Sequence, residues 1–270
     1  MKYHPHPRTA KVLDWSLQKI QEVPYRVTLR WVFYRCVQEL GLTKKDYEVF
    51  KKWTSRARKR FWNGWSPETL VDDTRQIHRR GGGYDSSKDW RASFKDAQCV
   101  LDKRSSQPQI PIVCFEAEAM FSQFEYYTSP YFVSMVPFKG DYTIQPKWML
   151  AKMIESFRRC YDKPVMVLYF GDLDPKGQEI PENAMKDVRK WCEVPFKFQR
   201  VGLNLEHVKR WDLPENLDRP KQYQWEALPD VAAAKLIKDS LRIVDLNAIR
   251  KRELEEEEAT RSWRDLSEML

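Results

Sequence analysis

The run VMVLYFGDLDPKG, residues 165–177, decides how the chain reads. Six apolar residues, Val165 to Phe170, are long enough for a buried strand and too short for a helix. Asp172 and Asp174 follow one residue apart, and Pro175 and Gly177 come next. Proline at a first helical position with aspartate before it marks a helix start, so the stretch reads as strand, turn, helix. Side chains two apart on extended chain point the same way, so both carboxylates can face one cation. Two bare carboxylates side by side repel, and a divalent cation removes that repulsion. A plainer account also stands, a turn in which Asp174 only caps the helix.

Outward from this run, short apolar stretches at 111–115, 131–137 and 196–201 alternate with helical patterns at 146–160 and 178–192. The alternation predicts an α/β domain with a mainly parallel sheet. Sites in such sheets form beyond the carboxyl ends of the strands. The stretch IVCFEAEAM carries Glu116 to such an end, and a neighbouring parallel strand would set it against the aspartates; Glu118 is its rival. Three hard oxygen donors suit Mg2+, which binds a few carboxylates together with water and phosphate.

The first half has another character. Residues 9–22, 28–40 and 44–62 are rich in charge with spaced apolar residues, and Gly41 stands where a helix would stop. Three such helices predict a helix-turn-helix or winged-helix module. Loose stretches, RRGGGYDSSKDW at 79–90 and RSSQPQIP ending at Pro111, place a boundary near residue 106. This gives a basic domain over 1–106 and a metal-binding domain with a C-terminal helical extension over 107–270. Residues 1–104 hold 23 Lys+Arg against 12 Asp+Glu, whereas the rest holds 24 against 27. A basic half beside an acidic half implies a polyanion on the first and chemistry on the second. LEEEEA near the end reads as a solvated helix face.

Two helices carry candidate contacts. In 44–62, Val49, Phe50, Trp53, Ala57 and Phe61 share one face, leaving Lys51, Lys52, Arg56, Arg58 and Lys59 to meet DNA phosphates or simply solvent. In the helix that opens with TLRWVFYRCV, 28–37, an apolar stripe runs through Leu29, Val32, Phe33, Cys36, Val37 and Leu40. Tyr34 projects roughly 130° from its centre at about 100° per residue, which predicts an exposed tyrosine with Arg30 on its side.

Five widely spaced cysteines form neither a disulfide framework nor a paired-thiol zinc site. No stretch approaches the roughly 20 apolar residues of a membrane span, and the start lacks the apolar segment of a secretion signal. The expectation is a cytoplasmic protein.

FEAEAM followed by YFGDLDPKG resembles a TOPRIM domain, the Rossmann-like fold of topoisomerases, bacterial-type primases and some nucleases. More specifically it resembles the A subunit of topoisomerase VI, the related meiotic double-strand-break protein and their small standalone relatives. PFKGDYT, 137–143, is similar to a glycine-containing loop of that family. QWEALP, 224–229, stands where the standalone relatives have ELDALP. Arg30 and Tyr34 match an arginine four residues before a catalytic tyrosine. The resemblance implies Mg2+ on Glu116, Asp172 and Asp174, Tyr34 as nucleophile in DNA cleavage by transesterification, and Arg30 as a phosphate clamp. It also implies a homodimer around DNA, the tyrosine of one subunit serving the acids of the other, and a possible separate ATPase subunit. The sequence departs from the family at Ala117, where lysine is frequent, and at Phe33-Tyr34, where tyrosines are paired. Two further readings stay open: a TOPRIM nuclease using metal-bound water, and a DNA-binding module without catalysis.

Overall fold

The computed structural model describes residues 3–70, 86–116, 118–138, 144–216 and 219–269. Its centre is a four-stranded, all-parallel sheet. The strands β1 (Ile110–Phe115), β2 (Ser134–Pro137), β3 (Val165–Phe170) and β4 (Lys197–Gly202) lie in the order β2-β1-β3-β4. All four correspond to the predicted apolar runs. Phe115 is level with Phe170 in the register of β1 against β3, so both central strands end at the same edge.

Period-two alternation divides the sheet between two cores. Val113, Phe115, Leu168 and Phe170 pack on one face with Phe124, Trp225 and Ile237. Ile112, Cys114, Val167 and Tyr169 pack on the other with Ile154 and Val188. The helices α5 (Phe121–Thr128) and α9 (Asp230–Ser240) cover the first face, and α6 (Ile144–Tyr161) and α7 (Pro175–Trp191) the second. Helices on both faces of a parallel sheet make a Rossmann-like α/β arrangement.

The first part of the chain is helical, as expected: α1 (Pro7–Gln21), α2 (Leu29–Leu40) and α3 (Tyr47–Lys59) close around Leu13, Val32, Phe33, Phe50 and Trp65. Thr28 caps α2 by accepting from the Trp31 N–H, and Gly41 ends it. Among the described residues no strand precedes Ile110. Phe61 differs from expectation. It falls beyond the end of α3 with a left-handed φ of 49° and is 68% exposed, so the helix face it was to complete stops at Ala57.

The two parts are firmly joined. Asp230 accepts hydrogen bonds from the Tyr25 hydroxyl, from the Tyr127 hydroxyl at 2.6 Å and from Gln123 Nε2 at 3.3 Å. The predicted boundary near residue 106 falls at a short 3-10 turn, Lys103–Ser106, which is itself docked. Lys103 pairs with Glu256 of α10 (Leu246–Met269), and Gln107 exchanges hydrogen bonds with the Asp245 backbone at 3.1 and 2.8 Å. The acidic stretch is therefore only partly a solvated face. Further along α10, Trp263 Nε1 donates to the Phe94 carbonyl of α4 (Ser87–Lys95) at 2.6 Å.

All five cysteines are free. No helix among the described residues is long and apolar enough to cross a membrane.

Candidate functional site

The level ends of β1 and β3 bring Glu116 to the turn that holds the aspartates. Glu116 Oε2 accepts from the Asp172 backbone N–H at 2.8 Å, so this carboxylate is fixed by the turn itself. Two glycines make room for it. A Cβ on Gly171 would lie 2.6 Å from Glu116 Oε2 and 2.9 Å from the Tyr169 hydroxyl oxygen. One on Gly177 would lie 2.4 Å from the Asp172 carbonyl oxygen and 3.0 Å from Glu116 Oε2. Any side chain at either position pushes against the carboxylate or the turn beneath it.

Asp172 and Asp174 divide the work of the turn. Asp174 Oδ1 caps α7, accepting from the Gly177 N–H at 2.5 Å with Pro175 at the first helical position. The plainer account of Asp174 is thus correct for one of its oxygens. Asp172 Oδ1 accepts from the Trp225 backbone N–H at 2.7 Å. Burial and the neighbouring Glu116 charge raise the Asp172 carboxyl well above its ordinary range. Burial, with the Asp174 charge adding, also raises Glu116, against the Asp172 N–H and the Arg200 charge. Crowded, poorly solvated carboxylates of this kind are what a cation relieves.

The expected convergence of three acids is not seen: among the described residues no three His, Cys, Asp or Glu side chains are grouped to hold one ion. Glu116 and Asp172 adjoin, whereas Asp174 is turned to its helix. The pair Glu116 and Asp172 is what remains of the three, two hard carboxylates of the kind Mg2+ takes together with water and phosphate oxygens. The side chain of Glu118, together with Ala117 and residues 139–143 of the PFKGDYT loop, lies outside the described residues.

Arg200 was not foreseen. It enters from β4 and donates to the carbonyls of Asp172 at 2.7 Å, Leu203 at 2.5 Å and Gly177 at 3.3 Å. All three partners are carbonyls, so the guanidinium braces the turn's backbone and puts a positive charge behind the acids. Tyr169 is a second addition. Its ring is fully buried and its hydroxyl has no hydrogen-bond partner among the described residues, close to Glu116 Oε2 across the space above Gly171. Burial first and the Glu116 charge second hold that phenol far above its ordinary value.

Tyr34 corrects an expectation. It is 0% exposed, not a surface tyrosine. The apolar stripe was read correctly, but α2 lies between two partners: α1 and α3 take the stripe, and residues 223–228 cover the opposite side. Trp31 to Cys36 are consequently all buried. The Tyr34 hydroxyl donates to Gln224 Oε1 at 2.5 Å. Burial pushes its pKa up to about 12, with Glu226 and Asp172 adding and Arg30 opposing. Arg30, on the same side as predicted, is 41% exposed and pairs with Glu226 at 3.6 Å. Glu226 also accepts from the Thr28 hydroxyl at 3.2 Å, and burial raises its carboxyl.

The strap over residues 223–228 joins α2 to the turn after β3. Tyr223 pairs in both directions with Leu173, at 2.8 and 3.1 Å. Gln224 holds Tyr34, Trp225 holds Asp172, and Glu226 holds Arg30. Arg35, buried in α2, donates to the carbonyls of Glu226, Ala227 and Leu228 at 3.2, 3.1 and 2.9 Å. The stretch QWEALP, singled out in the sequence, forms most of this strap.

Of the five cations on α3, Lys51, Lys52, Arg56 and Lys59 are exposed. Lys51 stands 3.8 Å from Glu48. Arg58 turns inward and bonds the carbonyls of Pro67 and Leu70, a structural role the residue count did not separate from the others.

Comparison with protein-family models, with curated proteins and with solved structures finds no match.

Proposed function

We propose that this chain is a TOPRIM-like, Mg2+-dependent enzyme that cleaves DNA phosphodiester bonds, with α1 to α3 forming a winged-helix-like DNA-binding module. The observation that carries the reading is the hydrogen-bonded meeting of Glu116 and Asp172 at the carboxyl ends of adjacent parallel strands, both carboxyls raised. That edge is where α/β sheets place their chemistry. Glu116 and Asp172 would hold the Mg2+, with Asp174 engaged in capping α7, and the ion would supply neutralisation of charge on the phosphate. Lys51, Lys52, Arg56 and Lys59 supply sequence-independent phosphate contacts, and Arg30 clamps the phosphate that reacts.

Two nucleophiles compete. In transesterification the Tyr34 oxygen forms a bond to phosphorus, the bond from phosphorus to one deoxyribose oxygen breaks, and that oxygen takes a proton while the phenol loses its own. The position of Tyr34 beside Arg30 and within the electrostatic reach of Asp172 supports it. Its full burial, its pKa of about 12 and its bond to Gln224 favour the second reading, in which water attacks. A homodimer and a separate ATPase subunit belong to the same family resemblance.

Supercoiled plasmid incubated with Mg2+ and stopped with denaturant tests the reading. Cleavage that falls about 100-fold or more in Glu116→Gln is expected, as for loss of a metal ligand. Protein-linked DNA ends lost in Tyr34→Phe establish transesterification; free ends unchanged in that variant establish hydrolysis. Retained DNA binding without cleavage leaves the binding module.

A further inference from the structure

We infer that Phe61 is a base-stacking contact, seated on a base left unstacked in DNA while the cations of α3 hold the phosphates around it. The inference rests on the DNA-binding part of the reading above and is independent of the acid site and of the nucleophile. Phe61 is the most exposed aromatic side chain among the described residues, at 68% against 49% for Trp90, the next. Single exposed apolar residues are common and need no explanation by themselves. What sets Phe61 apart is the backbone that presents it. Its φ of 49° and ψ of 43° are left-handed, a conformation in which a bulky side chain is an outlier. Such strain persists only where the surroundings fix it, and it concentrates at binding sites.

The surroundings are firm on both sides of the ring. Before it, the Arg60 N–H donates to the Arg56 and Ala57 carbonyls at 3.1 and 3.3 Å, and the Phe61 N–H to the Arg58 carbonyl at 3.4 Å. Arg58 in turn holds the carbonyls of Pro67 and Leu70, beyond the turn. After it, Asn63 Nδ2 donates to Asp14 Oδ1 at 2.6 Å and the buried Trp65 donates through Nε1 to the Leu13 carbonyl at 3.3 Å, which ties the turn to α1. Trp62 meets Tyr3 edge to face at 6.4 Å. Both neighbouring indoles are thus taken up in packing, and Phe61 is left to solvent.

Charge identifies the partner. Residues 47–65 hold six Lys+Arg, at 51, 52, 56, 58, 59 and 60, against one acid, Glu48. Lys59 and Arg60, immediately before the ring, are both exposed. A ligand that suits this end of α3 is a polyanion with a flat apolar face, which is a base flanked by phosphates. An acidic peptide offers the charge without the face. A membrane surface asks for a wider apolar face than one ring. In an intact duplex the base faces are covered, and opening one step costs about as much as one ring regains by stacking. The DNA preferred is therefore one in which a base is already unstacked, as at a gap.

Fluorescence anisotropy of the full chain without Mg2+, on an intact duplex and on the same duplex with a one-nucleotide gap, reads this contact apart from any cleavage. The wild type is expected to bind the gapped duplex about 10-fold more tightly, a preference that Phe61→Ala and Phe61→Leu lose and Phe61→Trp keeps. The salt dependence should be the same in all of these proteins, because no phosphate contact is removed. A 2-aminopurine at the edge of the gap should change its fluorescence on saturation with the wild type and Phe61→Trp, and not with Phe61→Leu. Phe61→Gly relieves the left-handed backbone, so it should lose the preference while unfolding no earlier than the wild type, which separates the contact from folding. Equal gap preference in the wild type and Phe61→Leu overturns the inference and leaves DNA binding standing. No binding of either duplex by the unmutated chain overturns the DNA-binding reading and the inference with it. Uptake on phosphatidylserine vesicles in place of DNA, lost in Phe61→Leu, overturns both and makes the ring a membrane contact.

Discussion

The Asp172 backbone N–H donates to Glu116 Oε2 at 2.8 Å, joining residues 56 positions apart at the ends of two neighbouring parallel strands. Everything proposed for the chain's chemistry grows from that contact. It fixes one carboxylate oxygen of Glu116 and brings two like charges together in a poorly solvated corner.

Those charges make the fold sensitive to pH. Folded carboxyls raised above their unfolded values contribute stability that is fully present below the unfolded pKa and is lost as pH rises through the folded one. The ion-free protein should therefore lose stability from about pH 4 upward relative to Asp172→Asn, which lacks the repulsion. Thermal unfolding of both proteins across pH 4 to 8 checks the sign. Mg2+ should narrow the difference by binding the native wild type.

Gly171 and Gly177 should tolerate no side chain. An added Cβ at Gly177 meets the backbone of Asp172 at 2.4 Å, which cannot swing aside. Gly177→Ala is expected to cost about 1–3 kcal/mol in urea unfolding. At Gly171 the nearest atom is the end of the Glu116 side chain, so Gly171→Ala should displace that carboxylate and weaken Mg2+ uptake more than stability.

The cations of α3 separate into two kinds. Replacing Lys51, Lys52, Arg56 and Lys59 with Gln should weaken DNA binding and flatten its dependence on log salt by roughly one per lost phosphate contact. Arg58→Ala should leave that slope nearly unchanged and destabilise the fold by about 1–2 kcal/mol, because it removes bonds to the Pro67 and Leu70 carbonyls. Fluorescence anisotropy over a salt series, beside urea unfolding, distinguishes the two.

The central strands β1 and β3 were legible in the sequence because they are buried on both faces and read as unbroken apolar runs ending at turn residues, whereas the edge strands β2 and β4 are only half-buried and carry a weaker signal. The placing of Glu116 and of Asp172 with Asp174 just beyond two strand ends was legible for a related reason, since strand ends are marked by the same breaks; that Asp174 turns to its helix was legible only as the plainer account of the turn. Tyr34 was misplaced because helical periodicity reveals one buried face, whereas α2 has a second, created by a strap nearly 200 residues later in the chain. Arg200 and Gln224 were hidden similarly. Their roles depend on backbone carbonyls and hydroxyls brought near by tertiary packing, for which neither spacing nor composition gives a sign. The direction of Arg58 was equally invisible, since its acceptors belong to the chain beyond α3.

The strap itself gives a sharper test of packing. Gln224→Ala removes the acceptor of the buried Tyr34 hydroxyl and should cost about 1–3 kcal/mol of stability. If Tyr34 is the nucleophile, the same change should alter the rate at which protein-linked ends form. If water attacks, cleavage should follow stability alone.

Calorimetric titration with Mg2+ addresses the acid site most directly. The wild-type chain is expected to bind one ion, and both Glu116→Gln and Asp172→Asn, folded by circular dichroism, should lose that binding by at least 10-fold. Equal uptake by wild type and both variants, or no uptake by the wild type in the presence of DNA, would contradict the claim that Glu116 and Asp172 share a cation.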